Sequence, residues 1–123
     1  MARAYAPLVL ALLGATVQAA DLSVAEHPLA ACVDLRLAPA TRSANLVTTA
    51  ATLALKNPIG TCGCPSALAT YTSSVTVNGV EQVLQEGLLG LRDGGQAVLV
   101  LATDPTLFDG HPARVALSCA RSL

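Results

Sequence analysis

The sequence has no tryptophan, and only three of its 123 residues are aromatic, namely two tyrosines and one phenylalanine. Surfaces that bind sugars or single-stranded nucleic acids usually rest on stacked aromatic rings, so that kind of platform is missing here. The seven basic and eight acidic residues are scattered singly along the chain. Because no basic patch is available to hold phosphate groups, nucleic-acid binding is disfavoured.

The single methionine is Met1, so the soft thioether ligand of a periplasmic Cu(I) site is absent from the rest of the chain. The sequence also lacks a Gly-x-Ser-x-Gly elbow and the spacing of an EF-hand. His111 lies near Asp104 and Asp109 in one loop, but aspartate and glycine there are better explained as turn formers than as a hydrolase or calcium site. We therefore predict neither an enzyme nor a cofactor.

Residues 1–20 have the pattern of a cleavable signal peptide. Arg3 supplies the positive charge, and Pro7 to Val17 is an apolar stretch of the usual length. Val17-Gln18-Ala19 fits the small-x-small rule for cleavage. The stretch is too short for a membrane span, which takes roughly 17–25 apolar residues. We predict a helical signal peptide and, over residues 21–123, one exported domain without a membrane span that is periplasmic or secreted.

Short segments with period-two alternation follow, separated by turn residues, and they predict strands. The expected strands are Cys32–Leu37, Leu46–Lys56, Ala67–Val77, Val80–Leu91, Gln96–Ala102 and Ala113–Cys119. Asn78-Gly79 is typical of a two-residue hairpin turn of type I′. Gly87 and Gly90 suggest bulges or bends within their strand. The uninterrupted apolar run from Ala97 to Leu101 suggests a central strand that is buried on both faces.

This pattern predicts an all-β fold, a single antiparallel immunoglobulin-like sandwich of six to seven strands after the signal peptide. The polar segment 21–29 is expected to be an extended lead-in, and its His27 to be solvated. A true immunoglobulin domain carries a buried tryptophan. Since this chain has none, its core is expected to consist of valine, leucine, alanine and threonine.

The four cysteines are Cys32, Cys62, Cys64 and Cys119, and an even number predicts two disulfide bonds in an oxidising compartment. If each strand reverses direction, all four sulfur atoms lie at one end of the sandwich. A bond between Cys62 and Cys64 would close a very small, strained ring. The favoured pairing therefore takes one of them to Cys32 and the other to Cys119. The alternative joins Cys32 to Cys119 and leaves a close dithiol.

Such a dithiol in Cys62-Gly63-Cys64 could exchange disulfides, and four clustered sulfurs could bind zinc. Redox enzymes usually lower the pKa of their thiol with a helix N-terminus or a neighbouring cation. This loop joins two strands instead, and the nearest basic residue in sequence is Lys56. We therefore prefer a structural role and keep redox or metal binding by Cys62 and Cys64 as the alternative.

Pro58, Ile59 and Gly60 form a turn just before the first cysteine of this loop. Ile59 is an apolar residue at the tip of the turn. It either covers the core or presents a knob to a partner, so these three residues are a candidate binding loop.

The segment from Asn57 to Leu68, which reads NPIGTCGCPSAL, is the most distinctive part of the chain. Together with Leu101–Asp104 and Leu117–Cys119, it resembles a family of small secreted bacterial proteins of unknown function. The resemblance implies an exported β-sandwich without an assigned active site. We expect a non-enzymatic, disulfide-stapled module that contacts an unidentified protein partner. A fimbrial or envelope-assembly subunit is a third possibility, although no donor strand is evident at the amino end.

Overall fold

The computed structural model describes residues 22–92 and 94–121, and these residues form an all-β fold with two sheets. The predicted signal peptide lies outside them. The strands of the described part are β1 (Leu22–Val24), β2 (Val33–Leu37), β3 (Thr41–Ser43), β4 (Leu46–Leu55), β5 (Leu68–Val77), β6 (Val80–Gly90), β7 (Gly95–Ala102) and β8 (Ala113–Cys119). A 3₁₀ helix covers Ile59–Cys62, and one helical turn, α1, covers Pro105–Phe108. No helix in these residues has the length and apolar character needed to cross a bilayer.

The first sheet has the strand order β1-β8-β5-β6. In the second sheet β4 is central, with β7 on one side and both β2 and β3 on the other. All pairs are antiparallel except β1 with β8, which run parallel. The described residues thus hold eight strands, more than the six to seven expected. The extra strands, β1 and β3, have three residues each, which is too short to leave a period-two pattern.

The inner faces of the two sheets share one hydrophobic core. Its strand residues follow the predicted alternation, because every second side chain of a strand points to the same face. The buried members that follow this alternation in β4, β5 and β8 are Val47, Thr49, Ala51, Leu53, Ala69, Tyr71, Ser73, Val75, Ala113, Val115 and Leu117; Ser74 is buried as well, on the outer face. Phe108 of α1 and Leu29 ahead of β2 are fully buried in the same core, so connecting segments also supply large core side chains.

Two hydroxyl groups of β5 join the first sheet to the second. Tyr71 donates to the carbonyl oxygen of Val100 at 2.9 Å and accepts from its N–H at 3.1 Å. Ser73 donates to the carbonyl oxygen of Leu101 at 2.9 Å. The register of β4 against β7 skips Leu101, which is the extra residue of a β-bulge. Buried backbone groups need a partner, and these hydroxyls supply it where the ladder is interrupted.

The hairpin of β5 and β6 confirms one prediction and corrects another. Asn78 and Gly79 have φ values of 53° and 82°, as the type I′ turn requires. The bulge of β6, however, lies at Leu84, because Ser73 pairs with Gln85 and Ser74 with Val83. The register shows no bulge at Gly87 or Gly90, so of the predicted bulges or bends at these glycines the bulges were wrong.

Gly87 has a different role, since it lies beneath the ring of Tyr71. A Cβ atom built on Gly87 would lie 2.6 Å from Cε2 of that ring, which is closer than real Cβ contacts. Glycine therefore lets the aromatic ring lie flat enough against the strand for its hydroxyl to reach β7. A Cβ atom on Gly90 of the same strand would meet nothing within 4 Å.

The prediction of a central strand over Ala97–Leu101 was also wrong. Among the described strands, β7 pairs only with β4 and lies at the edge of the second sheet. Leu99 and Leu101 are buried, whereas Val98 is 71% exposed on the outer face. An apolar run cannot reveal its inner and outer positions when both carry apolar residues.

The loop between β7 and β8 is held by its own acidic residues. Asp104 caps α1 by accepting from the N–H of Thr106 at 3.0 Å and from its hydroxyl at 2.7 Å. These bonds lower the pKa of Asp104. Asp109 accepts from Nε of Arg42 in β3 at 2.8 Å, and the Arg42 guanidinium lies 6.0 Å from the ring centroid of Phe108. The loop is thereby fastened to the second sheet.

Replacing Gly87 with alanine should destabilise the protein by about 1–3 kcal/mol, because the new methyl group must displace the buried ring of Tyr71. Gly90→Ala is the matched control in the same strand, and it should be neutral or slightly stabilising since the space is open. Urea denaturation of both variants measures the difference in free energy of unfolding. Equal values for the two variants would contradict the role assigned to Gly87.

Candidate functional site

The Cys-Gly-Cys loop connects β4 to β5 and is shaped by the 3₁₀ helix that ends at Cys62. Gly63 follows in the left-handed conformation with φ of 88°, and its N–H donates to the carbonyl oxygen of Gly60 at 3.0 Å. Residues other than glycine rarely adopt this conformation. The turn at Gly63 separates the paths of Cys62 and Cys64, and the two side chains reach different partners.

Cys62 is bonded to Cys32 with a Cα–Cα distance of 6.3 Å, and Cys64 is bonded to Cys119 with a distance of 5.1 Å. Both distances lie in the ordinary range for disulfide bonds. Cys32 immediately precedes β2 of the second sheet, and Cys119 ends β8 of the first. One loop therefore fastens both sheets together, and each of its cysteines reaches outward, one to Cys32 and one to Cys119, as the strain of a Cys62–Cys64 ring favoured.

The four sulfur atoms lie at one end of the fold although β3 was not predicted. Both β2 and β3 run antiparallel to β4, so β3 continues in the direction of β2 and no strand reversal is added. The argument from alternating strand direction survives for this reason. The parallel strand β1 precedes Cys32 and does not enter the count.

No cysteine is free, so the structure contains no close dithiol at Cys62 and Cys64. Within residues 22–92 and 94–121, no group of three or more His, Cys, Asp or Glu side chains is placed to hold a metal ion. Two disulfides indicate an oxidising, extracytoplasmic environment. Redox or zinc chemistry at this loop would first require reduction of a disulfide.

The candidate binding loop beside it divides into covered and open residues. Ile59 is partly buried and packs against the core, whereas Pro58 and Gly60 are exposed. The side chain of Asn57 donates to the carbonyl oxygen of Ala31 at 2.7 Å, which fixes the turn to the segment ahead of β2. Ile59 thus acts as a cover for the core at this end.

His27 is less solvated than expected. Its Nδ1 atom is shielded from solvent and has no hydrogen-bond partner, although the residue as a whole is only half-buried. Burial, and then the positive charge of Lys56, lower the pKa of His27. The two residues line a shallow hollow between β1 and β2 together with Asp34. The hollow carries charges of both signs and no set of metal ligands.

The outer face of the first sheet, on the side away from the core, holds a groove of about 590 Å³. Its walls and floor are formed by Leu68, Thr70 and Thr72 of β5, Glu86 and Leu88 of β6, and Ser118 of β8, with residues 119–121 at one end. Leu88 is 66% exposed and Leu68 is 43% exposed. Two leucines beside a floor of small hydroxyl residues make this the most distinctive concave surface of the first sheet.

The charged side chains on this face are of two kinds: an ion pair outside the groove, and one acidic and one basic residue that line the groove. Glu81 accepts from the hydroxyl of Ser74 at 2.6 Å, and its carboxylate lies 3.3 Å from Nη2 of Arg114. Glu86 and Arg121 both line the groove, Glu86 from β6 and Arg121 from the segment after β8. The groove therefore carries one acidic side chain from β6 and one basic side chain from the segment after β8, on opposite sides of β5.

None of the groove residues except Cys119 was identified from the sequence. The alternation that places Ala69 and Tyr71 inward also places Leu68 outward, so one signal was present. Leu88 could not be found in this way, because the extra residue Leu84 shifts the phase of β6. A groove that combines three strands depends on their pairing, which the local pattern does not contain.

The fold and the cysteine loop define a disulfide-bonded all-β protein. A family model described as "uncharacterized protein conserved in bacteria (DUF2195)" matches residues 8–122, and the chain belongs to that family. This agrees with the expected resemblance to a bacterial family of unknown function. No match was found among curated proteins or among solved structures.

Replacing Cys64 and Cys119 together with alanine should lower the free energy of unfolding by about 2–4 kcal/mol, because the bond closes a separation of 55 residues. The Cys32→Ala, Cys62→Ala pair, with a separation of 30, is the parallel variant and should also be destabilised. Urea denaturation measures both. A loss below about 1 kcal/mol for either pair would show that its bond adds little to the folded state.

The lowered pKa of His27 should make stability depend on pH. Below the unfolded value of about 6.5 the unfolded chain binds a proton that the folded state disfavours, so stability falls as pH drops towards the folded pKa and then levels off. His27→Gln should remove this dependence, and Lys56→Gln should reduce it. Denaturation midpoints between about pH 7.5 and 5 test this. An unchanged slope in His27→Gln would contradict it.

Proposed function

We propose that this chain is an exported, non-enzymatic β-sandwich module that acts through protein–protein contacts, and that the groove of the first sheet is its contact surface. The observation that carries the proposal is the pair of exposed leucines, Leu68 and Leu88, beside a concave floor of threonine and serine. Apolar side chains gathered beside a concave surface are typical of interaction sites.

The immunoglobulin-like and exported parts of the proposal rest on separate features. Two sheets that pack face to face over a common core, with mostly antiparallel strand pairs, fit a sandwich of that kind. The signal-peptide pattern of residues 1–20 and the two disulfides support a periplasmic or secreted location.

The absence of catalysis is supported by how the reactive side chains are used. Asp104 and Asp109 bind Thr106 and Arg42, and the sulfur atoms are oxidised. Glu81 is engaged by Ser74 and Arg114. A turnover that depends on one specific side chain would contradict this part of the proposal.

A thiol-redox function is the second candidate, and the half-exposed position of Cys119 at the groove favours it. A dithiol reductant would attack Sγ of Cys119, Cys64 would leave as a thiolate, and the second thiol of the reductant would release Cys119. Equilibration in glutathione buffers tests the idea. A reduction potential below about −300 mV would mark both bonds as structural.

A photoreactive amino acid placed at Leu88 should form a discrete cross-linked product in the producing cells, because that side chain lies in the proposed contact. The same probe at Val98 is the control, since Val98 is equally exposed on the outer face of the second sheet. Leu68→Glu in the same chain should abolish the product from position 88. Mass spectrometry of the product identifies the chain on the other side.

Two results would contradict the proposed contact surface. One is the lack of any product from position 88 and from a second probe at position 68. The other is an equal yield from position 98, which would mean that the cross-linking reports exposure alone.

A further inference from the structure

We propose that the partner in the groove of the first sheet is a second copy of this chain, related by a two-fold axis. The inference rests on the proposed function, because it uses the same surface. The groove and its exposed leucine lie on one face, so a two-fold axis lets Leu88 of each copy enter the groove of the other. A surface that carries both the knob and the hollow is complementary to itself, as a two-fold interface requires.

The charges of the groove obey the same symmetry. Glu86 comes from β6 and Arg121 from the end of β8, with β5 between them. A two-fold axis that lies in the plane of the contact, perpendicular to the line from Glu86 to Arg121, places Glu86 of each copy opposite Arg121 of the other. Two ion pairs then flank a central apolar contact made by Leu68 and Leu88, an arrangement with an apolar centre and a polar rim.

Two of the open sheet edges, those of β6 and β7, are less suited to association. β6 is interrupted by the bulge at Leu84, and bulges at edges disturb pairing with a further strand. On β7, the backbone N–H and carbonyl groups of Val100 are already bound by Tyr71. A face remains available where the edges are obstructed.

The groove is also fixed before any contact is made. The Cys64–Cys119 disulfide holds the end of β8, and the N–H of Ala120 donates to the carbonyl oxygen of Leu68 at 3.1 Å. The two residues before Arg121 are therefore both held in place, Cys119 by its disulfide bond and Ala120 by its hydrogen bond to β5. A preformed surface loses less conformational entropy on association.

Charge reversal in the purified, disulfide-bonded protein tests the inference by sedimentation equilibrium. The unmodified protein should be a dimer, and Glu86→Arg or Arg121→Glu alone should weaken dimerisation roughly tenfold, because each change alters two symmetric ion pairs. The double variant should recover the affinity of the original protein. Leu88→Glu should give a monomer, and Val98→Glu, on the other sheet, should leave the dimer intact. Unfolding curves confirm that each variant is folded.

The inference would be overturned if the unmodified protein stays monomeric at about 100 μM, because that concentration is a hundredfold above a micromolar Kd for the dimer. So would a double variant no better than the single ones, or a dimer that Val98→Glu disrupts. If the cross-link from position 88 then contains a different protein, the second copy is wrong and the proposed contact surface stands. If neither position 88 nor position 68 gives a cross-link, the proposed function fails as well.

Discussion

The packing of the two sheets is organised around the hydroxyl group of Tyr71, which bonds the first sheet to the second. Tyr71 is 6% exposed, and its hydroxyl both donates to and accepts from the backbone of Val100 in the opposite sheet. Burial raises the pKa of this hydroxyl, and the bond to Val100 opposes that shift in part, so the group stays protonated and can donate. The glycine beneath the ring, the bulge opposite it and the path of β7 all accommodate this contact. A core with few aromatic side chains gains specificity from it, since the alternative is an unpaired backbone group at an interrupted ladder.

The local elements were predictable because each has a signal within a few residues. The hairpin turn at Asn78 and Gly79 follows from the tolerance of both residues for positive φ, and the buried faces of β4 and β8 follow from period-two alternation. The signals fail where a strand is too short, as in β3, or where both faces are apolar, as in β7. The position of a strand in its sheet depends on the whole fold, and an edge strand can have the same sequence pattern as a central strand.

The cysteine end was accessible to sequence reasoning and the groove was not. Strand direction is a global constraint that needs only the number of reversals, so the location of the four sulfur atoms could be worked out without distances. The groove needs the lateral order β8-β5-β6 and the register that sets Thr70 against Leu88 and Ser118. Neither is encoded by the spacing of residues along the chain. In addition, the extra residue in β6 places Leu88 on the opposite face of the sheet from the one that simple alternation predicts.

The left-handed turn at Gly63 has a consequence for oxidative folding. Cys62 and Cys64 are separated by one residue, so a crossed isomer, with Cys64 on Cys32 and Cys62 on Cys119, differs from the native one mainly in the orientation of a single peptide. The entropy of loop closure differs little between the two isomers, since the loops that their disulfide bonds close are nearly equal in length. In the native isomer the left-handed turn at Gly63 lies between the sulfur that is bonded to the second sheet and the sulfur that is bonded to the first. The native covalent isomer therefore carries its distinguishing backbone conformation at a single achiral residue.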